Sequence, residues 1–187
     1  MNPVKLVLGF VPFLLFTVVT SWLPVGWAAV VGLVAALALI AVTAKGGLKI
    51  LPVAQAVILL ILALAGLFAG PVAAAFLTVY GRGLASLALG LFIIATATSM
   101  PFTAQFARAA VPESAWHSPT FLQINRKISL AWGYTVLVLG ACHIVGAYLD
   151  TQHVYPLLRL LVDWGVPVLA FVRVIAYTRR AAENASH

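Results

Sequence analysis

Four residues able to carry charge lie inside stretches that are otherwise apolar: Arg82, His143, Arg159 and Asp163. A charged group near the middle of a bilayer costs about 2.5 to 3.5 kcal/mol on insertion scales, so a chain keeps one only where a partner or a task compensates it. Arg159 and Asp163 are four residues apart and can meet on one face of a helix. A structural ion pair is therefore the simplest interpretation of these two residues.

His143 falls on a helical stripe that we expect to face protein, because residues at helical spacing share one face. The other members of this stripe are Trp132, Val136, Leu139, Gly146 and Asp150. If the preceding helix begins near Leu77, Arg82 lies at a similar depth. We therefore predict a polar cluster in the outer half of the membrane, with Asp163 as its anion. The predicted ligand-binding residues are Arg82, Trp132, His143, Arg159 and Asp163, although a lone intramembrane histidine can also serve packing alone.

The motifs of common enzyme classes are missing from this sequence. It has no phosphate-binding glycine loop with its lysine, no H-E-x-x-H and no G-x-S-x-G. Cys142 is the single cysteine, which excludes an internal disulfide and a cysteine-rich metal site. A haem held by two histidines would need His117 or His153, at the membrane edges, as partner of His143. We predict no catalytic residue, no metal and no cofactor.

The composition places these residues in an integral membrane protein. Of 187 residues, 64% are hydrophobic and only 8% are charged, and the mean hydropathy is +1.11. Such a chain cannot cover a water-facing surface with polar groups. We predict an all-α, polytopic membrane helix bundle, formed by residues 1–187 as a single domain.

Apolar stretches of about 20 residues predict six transmembrane helices. They cover residues 4–22, 27–44, 50–69, 84–100, 129–149 and 156–177 approximately. The first resembles a signal peptide but lacks a small-x-small cleavage site, so we expect it to remain. Between residues 72 and 100 the sequence is apolar except around Arg82. Either one long helix holds Arg82, or a short interfacial piece precedes a span from about Leu84, and we favour the second.

The distribution of basic residues predicts the orientation, since Lys and Arg in short loops stay on the cytoplasmic side. With six spans, one side carries most of them: Lys5, Lys45, Lys49, Arg108, Arg126, Lys127, Arg179 and Arg180. The other side has only Arg82 and Arg159. We predict a bacterial inner-membrane protein with both termini and residues 101–128 in the cytoplasm. The net charge of +7 then reflects topology, and we expect no nucleic-acid partner.

Residues 101–128 are the longest polar interruption in the chain, and we expect a short interfacial helix there. Pro101 suits a first helical turn, and Phe102 and Phe106 share one face. These two residues and Trp116 are the predicted membrane-interface residues, while Ser118-Pro119 is expected to cap and begin the helix that continues into the fifth span. A solvated connector that binds nothing is the alternative.

Several sequence landmarks accompany this layout: F-V-P-F-L-L-F at Phe10 to Phe16, Pro101-Phe102, Asn125 followed by Leu130-Ala131-Trp132, and Ala176-Tyr177-Thr178-Arg179-Arg180. In layout and in these landmarks, the chain resembles the bacterial intracellular septation protein A family. The resemblance covers most of the chain, but this sequence inserts 126–129 after the Asn and has a longer segment from Phe102 to Phe121. A separate group with the same layout is the alternative. The resemblance implies envelope maintenance or septation, without a reaction or a cofactor.

Three functions remain open. The first is a non-enzymatic membrane protein that acts through membrane lipids or other inner-membrane proteins, as the resemblance implies. The second is a small transporter or lipid-handling protein that uses the predicted outer-half polar site. The third is an accessory subunit of a larger redox or photosynthetic complex. Small residues such as Gly32 and Ala36 would also permit a homo-oligomer.

Overall fold

The computed structural model describes residues 3–152 and 156–184, and all regular structure within these ranges is helical. The helices are α1 (Pro3–Leu8), α2 (Val11–Val19), α3 (Val25–Thr43), α4 (Ile50–Phe68), α5 (Pro71–Thr96), α6 (Phe102–Ala107), α7 (Pro119–Thr151), α8 (Pro156–Leu160) and α9 (Val166–Asn184). The predicted all-α helical bundle is confirmed. His153 lies outside the described residues, as do the side chains of Lys5 and Lys45.

Five helical segments are long and apolar enough to cross a membrane. They are α3, α4, α5, α7 and the continuous run Pro156–Asn184, which contains α8 and α9. Their mean hydropathy lies between 1.7 and 2.6. The chain is a multi-pass membrane protein.

The predicted first span, residues 4–22, is divided into α1 and α2. The amide of Phe13 bonds the carbonyl of Phe10 at 3.0 Å, whereas a continuous helix would direct it to Gly9. The fully buried Gln55 of α4 compensates for this break, since its Nε2 donates to the Gly9 carbonyl at 3.0 Å. In a membrane an unpaired carbonyl is costly, so Gln55 makes the break between α1 and α2 tolerable.

Helix α5 runs unbroken from Pro71 to Thr96 and holds Arg82 in its interior. The favoured interpretation, an interfacial piece before a span from Leu84, is therefore wrong, and the long-helix alternative is right. Gly81 and Gly83, on either side of Arg82, do not break α5. Other helices pack so closely against these two positions that they leave no room for a larger side chain. A Cβ on Gly81 would lie 2.9 Å from Val25 Cγ2, and one on Gly83 would lie 2.6 Å from Ile144 Cδ1.

Helix α7 begins at Pro119, earlier than the predicted start of the fifth span at residue 129. The predicted cap is confirmed, since Ser118 Oγ accepts a hydrogen bond from the Phe121 amide at 3.2 Å. The last helix likewise continues beyond the predicted end at residue 177, to Asn184. Both helices therefore extend past the apolar stretches that identified them.

The predicted short helix between the fourth and fifth spans is present as α6, but it packs into the protein. Phe102 and Phe106 are only 2% and 8% exposed, so their prediction as membrane-interface residues is wrong. Polar contacts to α7 turn the helix inward: Thr103 Oγ1 donates to the Asn125 carbonyl at 2.8 Å. Trp116 is partly exposed beneath Arg108, whose Cζ lies 5.0 Å from its ring centroid, and its interface role stays a prediction.

One end of the bundle collects the chain segments richest in cations. Here α6 contacts the start of α4, because Gln105 Oε1 accepts from the Ile50 amide at 2.8 Å. The start of α7 and the end of α9 meet at the same level, where Trp132 Nε1 donates to Thr178 Oγ1 at 3.0 Å. We call this the basic end, defined by Lys49, Arg108, Arg126, Lys127, Arg179 and Arg180.

Candidate functional site

Asp163 joins three helical segments at the end of the bundle opposite the basic end. Arg82 Nη2, from α5, donates to both carboxylate oxygens of Asp163 at 2.5 Å. His143 Nδ1, from α7, lies 2.8 Å from Asp163 Oδ1. The structure thus brings together three of the five residues predicted to bind a ligand, while the ligand role itself stays a prediction. We call Arg82, His143 and Asp163 the polar cluster.

A local change in helix geometry places Asp163 in this cluster. Residues Leu161–Gly165 form a π-helical turn between α8 and α9. Pro167 has no amide hydrogen for the carbonyl of Asp163, which prevents the ordinary helical bond at this point. On the facing helix, a Cβ on Gly146 would lie 3.1 Å from Asp163 Oδ1. The glycine therefore permits the close approach of the carboxylate to α7.

The hydrogen bonds of the cluster determine which imidazole nitrogen remains available. An ionised carboxylate only accepts hydrogen bonds, so Asp163 requires His143 Nδ1 to be the donor. In the neutral ring, Nε2 is then an acceptor. His143 is only 4% exposed and lies in the wall of a cavity of the bundle. The cluster can therefore offer a buried hydrogen-bond acceptor to a ligand there.

Arg159 does not pair with Asp163, so this part of the prediction is wrong. It forms an ion pair with Asp150 at the end of α7, and both side chains are about half exposed, at 49% and 55%. The π-helical turn changes the angular offset between Arg159 and Asp163, which a regular helix would place on one face. Asp150 therefore pairs with Arg159 at the surface, whereas Asp163 pairs with Arg82 inside the bundle.

Trp132 lies apart from the polar cluster, about 16 Å from His143 along α7 at 1.5 Å per residue. Its ring stacks on Phe10 at a centroid distance of 4.7 Å and meets Phe171 edge-on at 5.3 Å. The stripe that connects it to His143 does face protein, since Val136 is also buried, but Asp150 at its far end is exposed. Trp132 therefore packs against Phe10 and Phe171, two aromatic residues that line a cavity of the bundle.

An open pocket of about 550 Å³ lies beside Arg82 and Asp163 of the polar cluster. Its polar lining residues come from α5, α7, the last helix and the segment after α2: Thr20, Ser21, Thr78, Arg82, Asp150, Thr151, Arg159 and Asp163. We call it the polar pocket. Arg159, which does not touch Asp163, thus still borders the same space. Among the described residues, no group of three His, Cys, Asp or Glu side chains could hold a metal ion.

A second, smaller cavity of about 180 Å³ lies between α2, α5, α7 and α9. Its apolar wall includes Phe10, Phe13, Val136, Leu139, Pro167 and Phe171. The polar residues of this wall are Thr17, Ser86 and His143, and His143 also belongs to the polar cluster. We call it the apolar cavity. Trp164 borders both spaces, and Arg82 Cζ lies 5.7 Å from its ring centroid.

Sequence reasoning missed Ser86 and Trp164. Ser86 lies one turn after Arg82, and its hydroxyl donates to the Arg82 carbonyl at 2.9 Å. In the sequence, a serine within an Ala- and Gly-rich helix gave no sign of a site. The position of Trp164, directly after the one acid inside the last span, was a usable signal. An amphipathic aromatic ring beside a buried charge is typical of a boundary between wet and apolar surroundings.

Comparisons of this chain with protein-family models, with curated proteins and with solved structures found no match.

Proposed function

We propose that this protein is a lipid-handling membrane protein that binds an amphiphilic molecule in two adjoining spaces. The apolar part of the ligand occupies the apolar cavity, and its polar head occupies the polar pocket. One observation carries the proposal: two spaces of opposite chemistry both border Trp164, and the bonded pair His143 and Asp163 connects their walls. Ligand sites that combine an apolar cavity with a few convergent polar groups have this construction.

The size of the apolar cavity limits what it can hold. An engineered apolar cavity of about 150 Å³ in another protein takes a benzene molecule. The cavity here, at about 180 Å³, therefore accommodates a ring or a short alkyl segment. A ligand with one chain or one compact apolar group fits this space better than the two full chains of a phospholipid.

The charges of the polar pocket favour a head group without net charge. Arg82 is paired with Asp163, and Arg159 with Asp150, so the pocket contains two cations and two anions. A dianionic head would meet both carboxylates as well as both guanidinium groups. A hydroxyl-bearing or zwitterionic head can instead hydrogen-bond without displacing either pair.

The outer wall of the apolar cavity indicates how the ligand arrives. Val168 and Val172 of α9 line the cavity, yet they are 57% and 56% exposed on the surface of the bundle. In a membrane this surface faces hydrocarbon. An amphiphile can therefore pass from the bilayer into the cavity without crossing water.

The other two hypotheses differ in standing. A role in envelope maintenance or septation, as the family resemblance implies, stays a prediction, and lipid binding is one physical means by which such a role could operate. No feature of the described residues favours a subunit of a redox or photosynthetic complex over this proposal.

Tryptophan quenching by brominated amphiphiles tests the proposal on the purified, delipidated protein. Monoacylglycerol is the uncharged probe, lysophosphatidylcholine the zwitterionic probe and lysophosphatidylglycerol the anionic probe. We expect saturable quenching by the first two probes, weaker binding of the third, and a smaller quenched signal in Trp164→Phe.

Leu139→Phe places a larger side chain in the wall of the apolar cavity, so it should weaken binding about tenfold or more. Val145→Phe is the matched control, because Val145 is on the same helix, is 47% exposed and lines none of the spaces described here. Quenching that does not saturate, or equal binding by Leu139→Phe and the unmodified protein, would contradict the proposal.

A further inference from the structure

A groove on the outside of the bundle, between α7 and α9, is separate from both spaces described above. It has a volume of about 330 Å³. Its lining includes Ala131, Tyr134, Val138, Ala170, Arg173 and Tyr177. Tyr134, Val138 and Tyr177 are 59%, 43% and 44% exposed, so the groove opens to the membrane. None of these residues lines the apolar cavity or the polar pocket.

Arg173 is the charged residue that lines this groove, and it lies at an unusual depth for a charged side chain. It is exposed on α9 and lies about 7.5 Å deeper than Thr178 along the helix axis, at 1.5 Å per residue. The three acids with ion pairs among the described residues, Asp150, Asp163 and Glu183, are paired with other arginines. A guanidinium at this depth extends its stem toward the nearest polar region of the membrane.

The groove continues toward the basic end. Tyr177 also borders a cavity of about 200 Å³ whose wall contains Ile124, Lys127, Ala181 and Asn184. Lys127 and Arg173 therefore flank Tyr177 from the two sides. Neither wall contains an acidic residue. The combination is a cationic site with an apolar groove leading away from it.

From this charge complementarity we infer that the α7–α9 groove binds an anionic phospholipid from the leaflet at the basic end. The head group lies at Tyr177, whose phenol hydroxyl is a further donor, with Lys127 on the side of the basic end and Arg173 on the side of the acyl chains. An acyl chain follows Ala131, Val138 and Ala170 along the groove. A lipid with net negative charge is preferred to phosphatidylcholine, whose trimethylammonium group would approach the same two cations.

The expected selectivity follows from the charge of the two residues. A basic residue near an anionic membrane surface contributes about fivefold to the binding constant. We therefore expect phosphatidylglycerol to bind more tightly than phosphatidylcholine with the same acyl chains. Lys127→Gln and Arg173→Gln should each weaken phosphatidylglycerol binding about fivefold, and Arg173→Lys should retain most of it.

Titration of the purified, delipidated full-length chain in detergent, followed by native mass spectrometry and by thermal unfolding, measures these affinities. Arg179→Gln is the matched control, since Arg179 is exposed on the same helix and already paired with Glu183. It removes the same charge from the same end and should leave binding unchanged. Leu139→Phe, which fills the apolar cavity, should also leave it unchanged, so the two proposals fail independently.

Three results would overturn the inference. Equal affinity for phosphatidylglycerol and phosphatidylcholine would remove the basis of charge recognition. An equal loss in Arg179→Gln and Arg173→Gln would show a general effect of surface charge. Binding of glycerol 3-phosphate as tight as that of phosphatidylglycerol would assign the cations to a free phosphate compound.

Discussion

Asp163 is paired where water is scarce, and this pairing explains why the chain keeps a carboxylate inside a span. Its side chain is 8% exposed and that of Arg82 is 19% exposed. Taking both charges out of water costs several kcal/mol per ion, which close contact and additional hydrogen bonds offset only in part. His143 supplies one of those additional bonds. The polar cluster therefore fixes the positions of α5, α7 and the last helix relative to one another, more than it raises the free energy of unfolding.

The balance of charge in the cluster can be tested by removing its members singly and together. Arg82→Met leaves the carboxylate of Asp163 without its cation, which should cost about 3 to 5 kcal/mol of unfolding free energy. Asp163→Leu leaves the Arg82 guanidinium unpaired and should be similarly destabilising. In the double variant no unpaired charge remains, so its loss should be much smaller than the sum. Detergent-induced unfolding of the purified protein measures all three.

Arg159→Met is the control for this cycle. Its ion pair with Asp150 is about half exposed, and exposed pairs contribute about 1 kcal/mol or less. Additive losses in the Arg82 and Asp163 variants would contradict the interpretation of the cluster as a single charge-balanced unit.

At the scale of elements, the contact between α5 and α7 positions the cluster. Glycines bring the two backbones together: a Cβ on Gly140 would lie 2.8 Å from the Leu87 amide nitrogen, and one on Gly90 would lie 2.8 Å from that of Leu137. Small residues at helix contacts are the usual means of close packing in membranes. His143 is three residues from Gly140 and Arg82 is five residues from Leu87, so helix separation would be transmitted to the cluster.

Gly140→Ala tests this contact directly. The added methyl group meets backbone, which cannot rotate away, so α5 and α7 must separate by several tenths of an ångström. Overpacking of this kind costs about 1 to 3 kcal/mol, and we expect a lower unfolding midpoint together with weaker quenching of Trp164 by bound monoacylglycerol. Ala141→Val, at the neighbouring exposed position, should change neither. An unchanged midpoint in Gly140→Ala would show that the contact is looser than the structure indicates.

The parts of this fold that follow from local sequence were predictable. The Ser118 cap and the buried stripe of α7 depend only on neighbouring residues and helical periodicity, and both are present. The association of Arg82, His143 and Asp163 followed from the cost of burying charge at one depth. These arguments required no knowledge of which helices touch.

Two of the three mispredicted features depend on contacts between distant segments. Gly81 and Gly83 resemble a helix break in sequence, but Val25 and Ile144 pack against them within a continuous α5. Asp163 and Arg159 have the spacing of an ion pair, but the π-helical turn before Pro167 separates them. Phe102 and Phe106 form an apolar face suited to a membrane surface, and the protein itself buries that face. For Gly81 and Gly83 and for the two phenylalanines, a distant partner that local sequence does not identify decided the outcome, whereas for Asp163 the helix geometry before Pro167 did.

At the scale of the whole molecule, the two proposed lipid sites lie at opposite ends of the bundle. The polar pocket is bordered by Thr20 and Ser21 and by the end of α7 at Asp150. The α7–α9 groove lies near Lys127 at the basic end. Since basic residues remain on the cytoplasmic side, the predicted orientation directs the groove to the inner leaflet and the polar pocket to the outer one.

Cysteine accessibility in intact bacterial cells tests this orientation. In a Cys142→Ala background, Ser114→Cys reports on the basic end and Gln152→Cys on the opposite end, both at exposed positions. A membrane-impermeant maleimide should label Gln152→Cys in intact cells and should label Ser114→Cys only after lysis. The reverse pattern would contradict the orientation and would exchange the leaflets assigned to the two sites.

Because the positive-inside rule acts on short loops and on residues near the span ends, Lys49, Arg126 and Lys127 should dominate this orientation. Replacement of these three residues by glutamine should therefore allow partial labelling of both Gln152→Cys and Ser114→Cys in intact cells. Arg82→Gln should leave the original labelling pattern unchanged.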